Sequence, residues 1–402
     1  MTAVGGSATA AGPLRVLGFC DHFPPSSTGG GAERVAAETW SRLAADGFEV
    51  VVLAANPPNR GPRAGSADCN GVQVVSLPGL DLSAVTGAQV LVARGLLRRA
   101  REVAEEFAPH VLHAHSLHFQ TTVAAARLAR GRGVPLATTV HVAGIADLPL
   151  AVRSATALWE RTVGRFVIQR SDALLAVSES VAEHAIRRGA RPDAVQVVPN
   201  GVDVARFVPG EPAAPPVIAF VGRLIANKGP DVLVRATSQA VRAGADLRVE
   251  IIGDGPMRPA LEAMVAKDPL LADRVTFTGF VPDVASRLAT ASVLVRPSTT
   301  EGMPLAVLEA MAAGTAVVAT DIAPNRELIS HGITGLLFPV GEVGALTRCL
   351  LRLVDDHGLR RSLAAAGRAK AASHSWEVAT ERTGAALAGL VAAASRKTEV
   401  LV

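Results

Sequence analysis

At 402 residues with 49% hydrophobic residues, the chain is long enough to bury more than one core and implies two domains. The net charge of +4 is spread along the sequence, aromatic residues make up 3% and tyrosine is absent, which excludes both a basic footprint and stacking platforms for nucleic acid. Cys20, Cys69 and Cys349 are odd in number and far apart, which excludes a disulfide framework and points to a reducing, cytoplasmic setting. Residues 1–12 have neither a basic start nor an apolar core of the kind a signal peptide carries, and no stretch reaches the roughly 18 apolar residues of a membrane span.

In chain order, Leu14–Phe19 predicts a strand, Ala32–Asp46 a helix closed by Gly47, and Glu49–Leu53, Val72–Leu77, Val111–His113, Leu136–Val140 and Ala173–Val177 further strands. Helical patterns over Val92–Phe107 and Leu150–Arg170 lie between them. Alternation of this kind predicts an α/β class with a doubly wound parallel sheet. Pro209–Pro216, PGEPAAPP, reads as a linker, after which the alternation restarts: strand Val217–Val221, helix Pro230–Arg242, strand Arg248–Ile252, helix Arg258–Ala266, strand Val275–Thr278 and strand Ala291–Val295. Pro304 is placed to open a helix that ends at Gly314, and Trp376–Ala394 is a long final helix. The expected division is therefore 1–208 and 209–376, with 377–402 as a terminal helix. Two such units face their strand ends into a shared cleft.

Candidate site residues cluster at those strand ends. Gly29, Gly30 and Gly31 follow the first strand and open a helix, so backbone can approach a ligand closely; the spacing is not that of a dinucleotide fingerprint. His110, His113, His115 and His118 match no zinc spacing and have no cysteine nearby, although His115 remains a candidate for the acceptor side. His141 ends the strand LATTV. Asn200-Gly201 sits in a turn that approaches the linker, a structural feature. Gly222, Arg223 and Lys228 follow the strand Val217–Val221; a planar fork and a point charge there suit a diphosphate. The segment Arg296–Gly314, RPSTTEGMPLAVLEAMAAG, has Glu301 in a loop, Gly302 and Met303 after it, then Pro304, Leu305 and Glu309 in an apolar helix. Free N–H groups at that helix start form an anion site, and eight residues of helix span at most about 12 Å, room for one carboxylate on each side of a diphosphate.

The run EGMPLAVLEAMAAG resembles the glutamate–seven residues–glutamate signature of the family 4 retaining glycosyltransferases, which have the GT-B fold, and the resemblance extends over nearly the whole chain. It implies a nucleoside diphosphate sugar as donor, with UDP the commonest carrier, and a hydroxyl-bearing small molecule, glycan or lipid as acceptor in the first domain. It implies that Arg223 and Lys228 hold the diphosphate and that Glu301 and His141 bind sugar hydroxyls. Glu309 would bind the ribose, and the backbone of Phe280 and Val281 would edge the base. Gly30 and Gly31 would border the donor diphosphate, with Glu33, His115 and His141 on the acceptor side, and the last helix would cross back to the first domain. Val142 departs from the Asp or Thr that the family often has there, which puts the adjoining acceptor contacts in question. Asp-x-Asp is absent, and two cationic side chains with helix N-termini favour a mechanism without cofactor or metal. Three other readings remain: a sugar-nucleotide epimerase or hydrolase, a silent nucleotide-sugar-binding subunit, and peripheral action at a membrane through Leu150–Arg170. That last helix carries Arg153, Arg161, Arg165 and Arg170 beside Leu150, Trp159, Phe166 and Val167.

Overall fold

The computed structural model describes residues 12–23, 30–56, 65–81, 91–142 and 157–400. Strands β1 (Arg15–Cys20), β2 (Glu49–Asn56), β3 (Gly65–Cys69), β4 (Val72–Asp81), β5 (Leu91–Ala93), β6 (Val111–His115), β7 (Leu136–Val140), β8 (Ala173–Ala176) and β9 (Val195–Val197) form one sheet, in the order β3-β4-β2-β1-β6-β7-β8-β9 with β5 beside β4. A second sheet takes β10 (Val217–Val221), β11 (Arg248–Ile252), β12 (Val275–Gly279), β13 (Val293–Arg296), β14 (Ala316–Thr320) and β15 (Leu336–Phe338), in the order β12-β11-β10-β13-β14-β15. Every pairing in the second sheet is parallel. The central strands are buried on both faces, as sheets covered by helices on each side require.

Helix α1 (Gly31–Ala45) shows how closely the first layer packs. The Trp40 ring, fully buried, lies where a side chain on Gly18 would stand, 2.8 Å from its Cβ position, so β1 needs glycine under this helix. Leu387, on the last helix (Trp376–Val400), shares that core with Trp40 and Leu43. The chain thus returns to the first sheet after completing the second. At the crossing, Gly201 lies against the Trp376 backbone, 2.5 Å from its would-be Cβ, and Val202 donates to His374 O at 2.8 Å.

Several sequence readings change. Val92–Phe107 is not one helix: Leu91–Ala93 pairs antiparallel with β4 before helix α2 (Leu96–Phe107) begins after Gly95, whose φ of +73° breaks the run. β3 is likewise antiparallel to β4, so the first sheet is parallel only away from this edge. Short hairpin pairings of this kind carry too few residues to show a period. The helix read at Pro304–Gly314 is shorter, Leu305–Ala312, with Pro304 at the N-cap. Of Leu150–Arg170, only 157–170 lies within the described residues; it runs through a π-turn, Glu160–Gly164, into helix Arg165–Arg170. Val167 and Ile168 face the core there, while Leu158 and Trp159 stay exposed among Arg161 and Arg165. Leu150 and Arg153 fall outside the described residues, as do Gly29 and most of 56–69, 77–88 and 142–148.

Candidate active site

The charged centre is built at the carboxyl ends of β10 and β13. After Val221 the chain turns at Gly222, φ +152°, where a Cβ would stand 2.7 Å from the Arg296 guanidinium. Arg296, ending β13 and nearly fully buried, donates to Val221 O at 2.7 Å and through Nε to Glu301 Oε1 at 2.7 Å. Lys228 Nζ reaches the other oxygen, Glu301 Oε2, at 2.9 Å. Burial opposes the charge on Glu301, but Arg296 first and Lys228 second outweigh it and hold the carboxyl well below its ordinary range. Burial is also the main influence on Lys228, which is pushed down to about 8; Glu301 pulls the other way, while Arg296 and Arg223 add to the fall. Arg223 is exposed beside this group and makes no ion pair among the described residues. Three cations against one carboxylate leave the strand end net positive, the complement of a diphosphate.

The Glu301 loop is pinned on both sides. Thr299 N donates to Asn227 O at 2.9 Å, tying it to the Lys228 loop. Gly302 abuts the first sheet so tightly that a Cβ would stand 1.7 Å from His141 O. Asn200 donates through Nδ2 to Met303 O at 3.0 Å, so a turn that read as purely structural positions the motif. Among the described residues no side chain caps the helix at Pro304, which leaves its start open to an anion, and Leu305 lies 3.9 Å from the Cβ position of Gly31. Thus Gly31 beside Leu305, His141 against Gly302, and Gly222, Arg223 and Lys228 around Arg296 and Glu301 lie where the two sheets approach each other.

Glu309 is held apart from this cluster. Nearly fully buried in the helix, it pairs with Arg34 of the first helix; burial pushes its carboxyl up and Arg34 acts against that. Phe280, 70% exposed, and the half-buried Val281 follow β12. Glu33 is buried in the first turn of α1, close enough to Asp21 to help raise it. Asp21 itself, whose Oδ1 accepts from Thr121 N and from Thr121 Oγ1 at 2.7 Å, is pushed up to about 7, mainly by burial.

His115 and His141 stack with ring centres 5.1 Å apart and share a hydrogen bond of 2.9 Å between His115 Nδ1 and His141 Nε2. Burial pushes His141 down to about 3, so the ring is neutral at pH 7. His113 bonds to Trp40 and Thr139, His110 accepts from Arg15 N, and His118 meets Glu160. The four histidines therefore do not converge, and among the described residues no group of three or more His, Cys, Asp or Glu could hold a metal. Two residues that the sequence did not single out complete the site: Arg296, whose only signal is its place at the end of an apolar strand, and Arg34, which has none.

Residues 29–206 match the model for Glycosyltransferase Family 4, and residues 215–356 match the model for Glycosyl transferases group 1. A D-inositol 3-phosphate glycosyltransferase of Kribbella flavida is 31% identical, covering 73% of this chain and 74% of its own. Sucrose-phosphate synthase of Thermosynechococcus elongatus superposes with a TM-score of 0.81 at 22% identity, covering 94% of this chain and all 100% of its own. HepE of Anabaena, solved with UDP-glucose, superposes with a TM-score of 0.73 at 18% identity over 94% and 100% of the two chains. Two parallel α/β sheets meeting at a cleft are the GT-B arrangement that these structures share. The chain belongs to glycosyltransferase family 4 and is a GT-B glycosyltransferase.

Proposed function

We propose that the enzyme transfers a hexose or related sugar from UDP to a hydroxyl acceptor, with retention of anomeric configuration and without a metal ion. The observation that carries this is the net positive strand end in which Glu301, charged and pinned between Arg296 and Lys228, leaves Arg223 without a carboxylate partner among the described residues. Arg223 and Lys228, with N–H groups at the open helix start near Leu305, would stabilise the leaving diphosphate as negative charge develops on it. Such cationic groups do at the diphosphate what a divalent ion does elsewhere. Glu301, whose two oxygens are held in place, would accept from sugar hydroxyls; His141, touching the same loop at Gly302, would meet the sugar's far edge. Glu309 would take the ribose hydroxyls once Arg34 shares or yields its carboxylate. The backbone of Phe280 and Val281 would edge the base, and Glu33 and His115 would stand on the acceptor side. UDP as carrier is favoured by HepE of Anabaena, whose solved complex contains UDP-glucose. Among the described residues no carboxylate can be assigned as a nucleophile, which favours front-side substitution with retention. Closure of the cleft would exclude water.

Transfer assays with UDP-sugars, begun with D-inositol 3-phosphate (the compound named for the Kribbella relative), test this directly. Product with the donor's anomeric configuration, formed at the same rate with EDTA, is expected. Inverted product, or activity lost to EDTA and restored by a divalent ion, would overturn the mechanism. Sugar release or epimerisation without acceptor would assign the hydrolase or epimerase reading instead.

A further inference from the structure

Behind His141 runs a line of buried polar rings whose hydrogen bonds have a direction. Trp40 Nε1 meets His113 Nδ1 at 3.0 Å. Indole N–H only donates, so His113 Nδ1 accepts, and a neutral His113 must carry its hydrogen on Nε2. That Nε2–H faces Thr139 Oγ1 at 2.8 Å, which makes Thr139 the acceptor and leaves its hydroxyl hydrogen to be given elsewhere. Thr139 and His115 line a pocket of about 10 Å³, room for a single water, together with Thr39 and Asn200. His115 Nε2 has no hydrogen-bond partner among the described residues although the residue is fully buried. One water in the pocket, taking the Thr139 hydroxyl hydrogen and giving one of its own to His115 Nε2, would leave that nitrogen unprotonated. The hydrogen of His115 would then be on Nδ1, donating across 2.9 Å to His141 Nε2, and His141 would carry its own on Nδ1. All three imidazoles are held neutral by burial, so none can break the sequence by carrying two hydrogens.

We propose that Trp40, His113 and His115 are positioning residues that fix the tautomer of His141, so that its free Nδ1–H donates to a hydroxyl oxygen of the donor sugar. This rests on the assignment of His141 to the donor sugar under Proposed function. It adds a selectivity rule: the sugar position facing His141 must accept a hydrogen bond, so a donor lacking that oxygen is used poorly while the nucleotide still binds.

The test is long-range 1H–15N NMR on the full enzyme labelled with 15N-histidine, which reads the protonated nitrogen of each ring without requiring turnover. Hydrogen on Nε2 of His113 and on Nδ1 of His141 is expected. Trp40→Phe keeps an aromatic ring but removes the donor that sets the direction, and should leave both rings as tautomer mixtures. His115→Leu should release His141 and lower kcat about tenfold, the worth of one hydrogen bond, with UDP affinity unchanged. His115→Asn, which places an amide N–H where Nδ1–H stood, should restore most of kcat and the His141 tautomer. Hydrogen on Nε2 of His141 in the wild type, or a His141 tautomer indifferent to both Trp40→Phe and His115→Leu, would overturn the proposal. If the tautomers are as stated but His141→Ala retains wild-type kcat, the chain of bonds stands and the assignment of His141 to the sugar fails.

Discussion

At the scale of single residues, Glu301 serves two cations at once, and that decides what its loss would do. Breaking a buried pair leaves an uncompensated charge, and here two would be left, Arg296 and Lys228, both low in exposure. Glu301→Ala should therefore lower unfolding stability by about 3 kcal/mol in urea titration as well as abolish transfer. A loss confined to activity, with stability intact, would show that the cations find water instead. Lys228 has the opposite exposure to pH. Its amine is pushed below the usual lysine range to about 8, so its charge is present below that pH and is lost as pH rises through it. The donor kcat/KM should hold level up to about pH 7 and fall on the alkaline side with a midpoint near 8. A profile flat to about pH 9 would mean that Lys228 is not the cation that matters. Lys228 was legible in the sequence because loop position and residue type both point to an anion, and Glu301 because it is a carboxylate in the loop ahead of an apolar helix. Arg296 was not, since an arginine closing the apolar run ASVLV looks like the end of a strand. Only the pairing of β13 beside β10 brings it under Gly222.

At the scale of elements, strands in the second sheet were legible almost residue by residue: Val217–Val221 and Arg248–Ile252 lie where the apolar runs put them. They are buried, bounded by turn residues and paired only in parallel, so composition and position agree. The edge of the first sheet was not legible, because antiparallel β3 and β5 are short and owe their form to β4 rather than to their own pattern. The cleft's tightest joint lies between elements far apart in sequence, the loop at Gly302 and the end of β7. A methyl group at Gly302 has no room, with His141 O at 1.7 Å from its position. Gly302→Ala should displace Glu301 by a fraction of its working distance and reduce kcat/KM about a hundredfold, with circular dichroism unchanged. Activity within a factor of about two of wild type would mean that the loop moves freely and that its placement against His141 is not what positions Glu301.

At the scale of the whole molecule, the two sheets are joined by contacts of different kinds. Asn200 clamps Met303, Arg34 pairs with Glu309, and Glu327 spans the gap with both oxygens. Its Oε2 accepts from Glu179 N at 2.9 Å and its Oε1 from Ser180 N at 3.0 Å, a carboxylate seated on the first turn of helix Glu179–Arg187. Negative charge at a helix start contributes about 0.5–2 kcal/mol, enough to shift the balance between open and closed clefts without setting it alone. Glu327→Ala should speed amide exchange at Glu179 and Ser180 and enlarge the radius of gyration in solution scattering, and saturating UDP should reverse the second change. No change in either would mean that the remaining joints suffice to hold the sheets together. This joint could not have been read from the sequence, since nothing in PNRELIS marks a partner 147 residues away.

The most direct measurement of the central claim is a thermal-shift titration with UDP, GDP, ADP and dTDP, run with and without EDTA, on the wild type and on Arg223→Ala and Lys228→Ala. A ligand at about 100 times its dissociation constant stabilises the fold by about 2.7 kcal/mol, readily seen as a rise in Tm. The result predicted is a shift with UDP that EDTA leaves unchanged and that either substitution removes. If no nucleotide shifts the wild type, or if EDTA abolishes the shift, the cationic strand end around Lys228 and Glu301 is not a metal-free donor site.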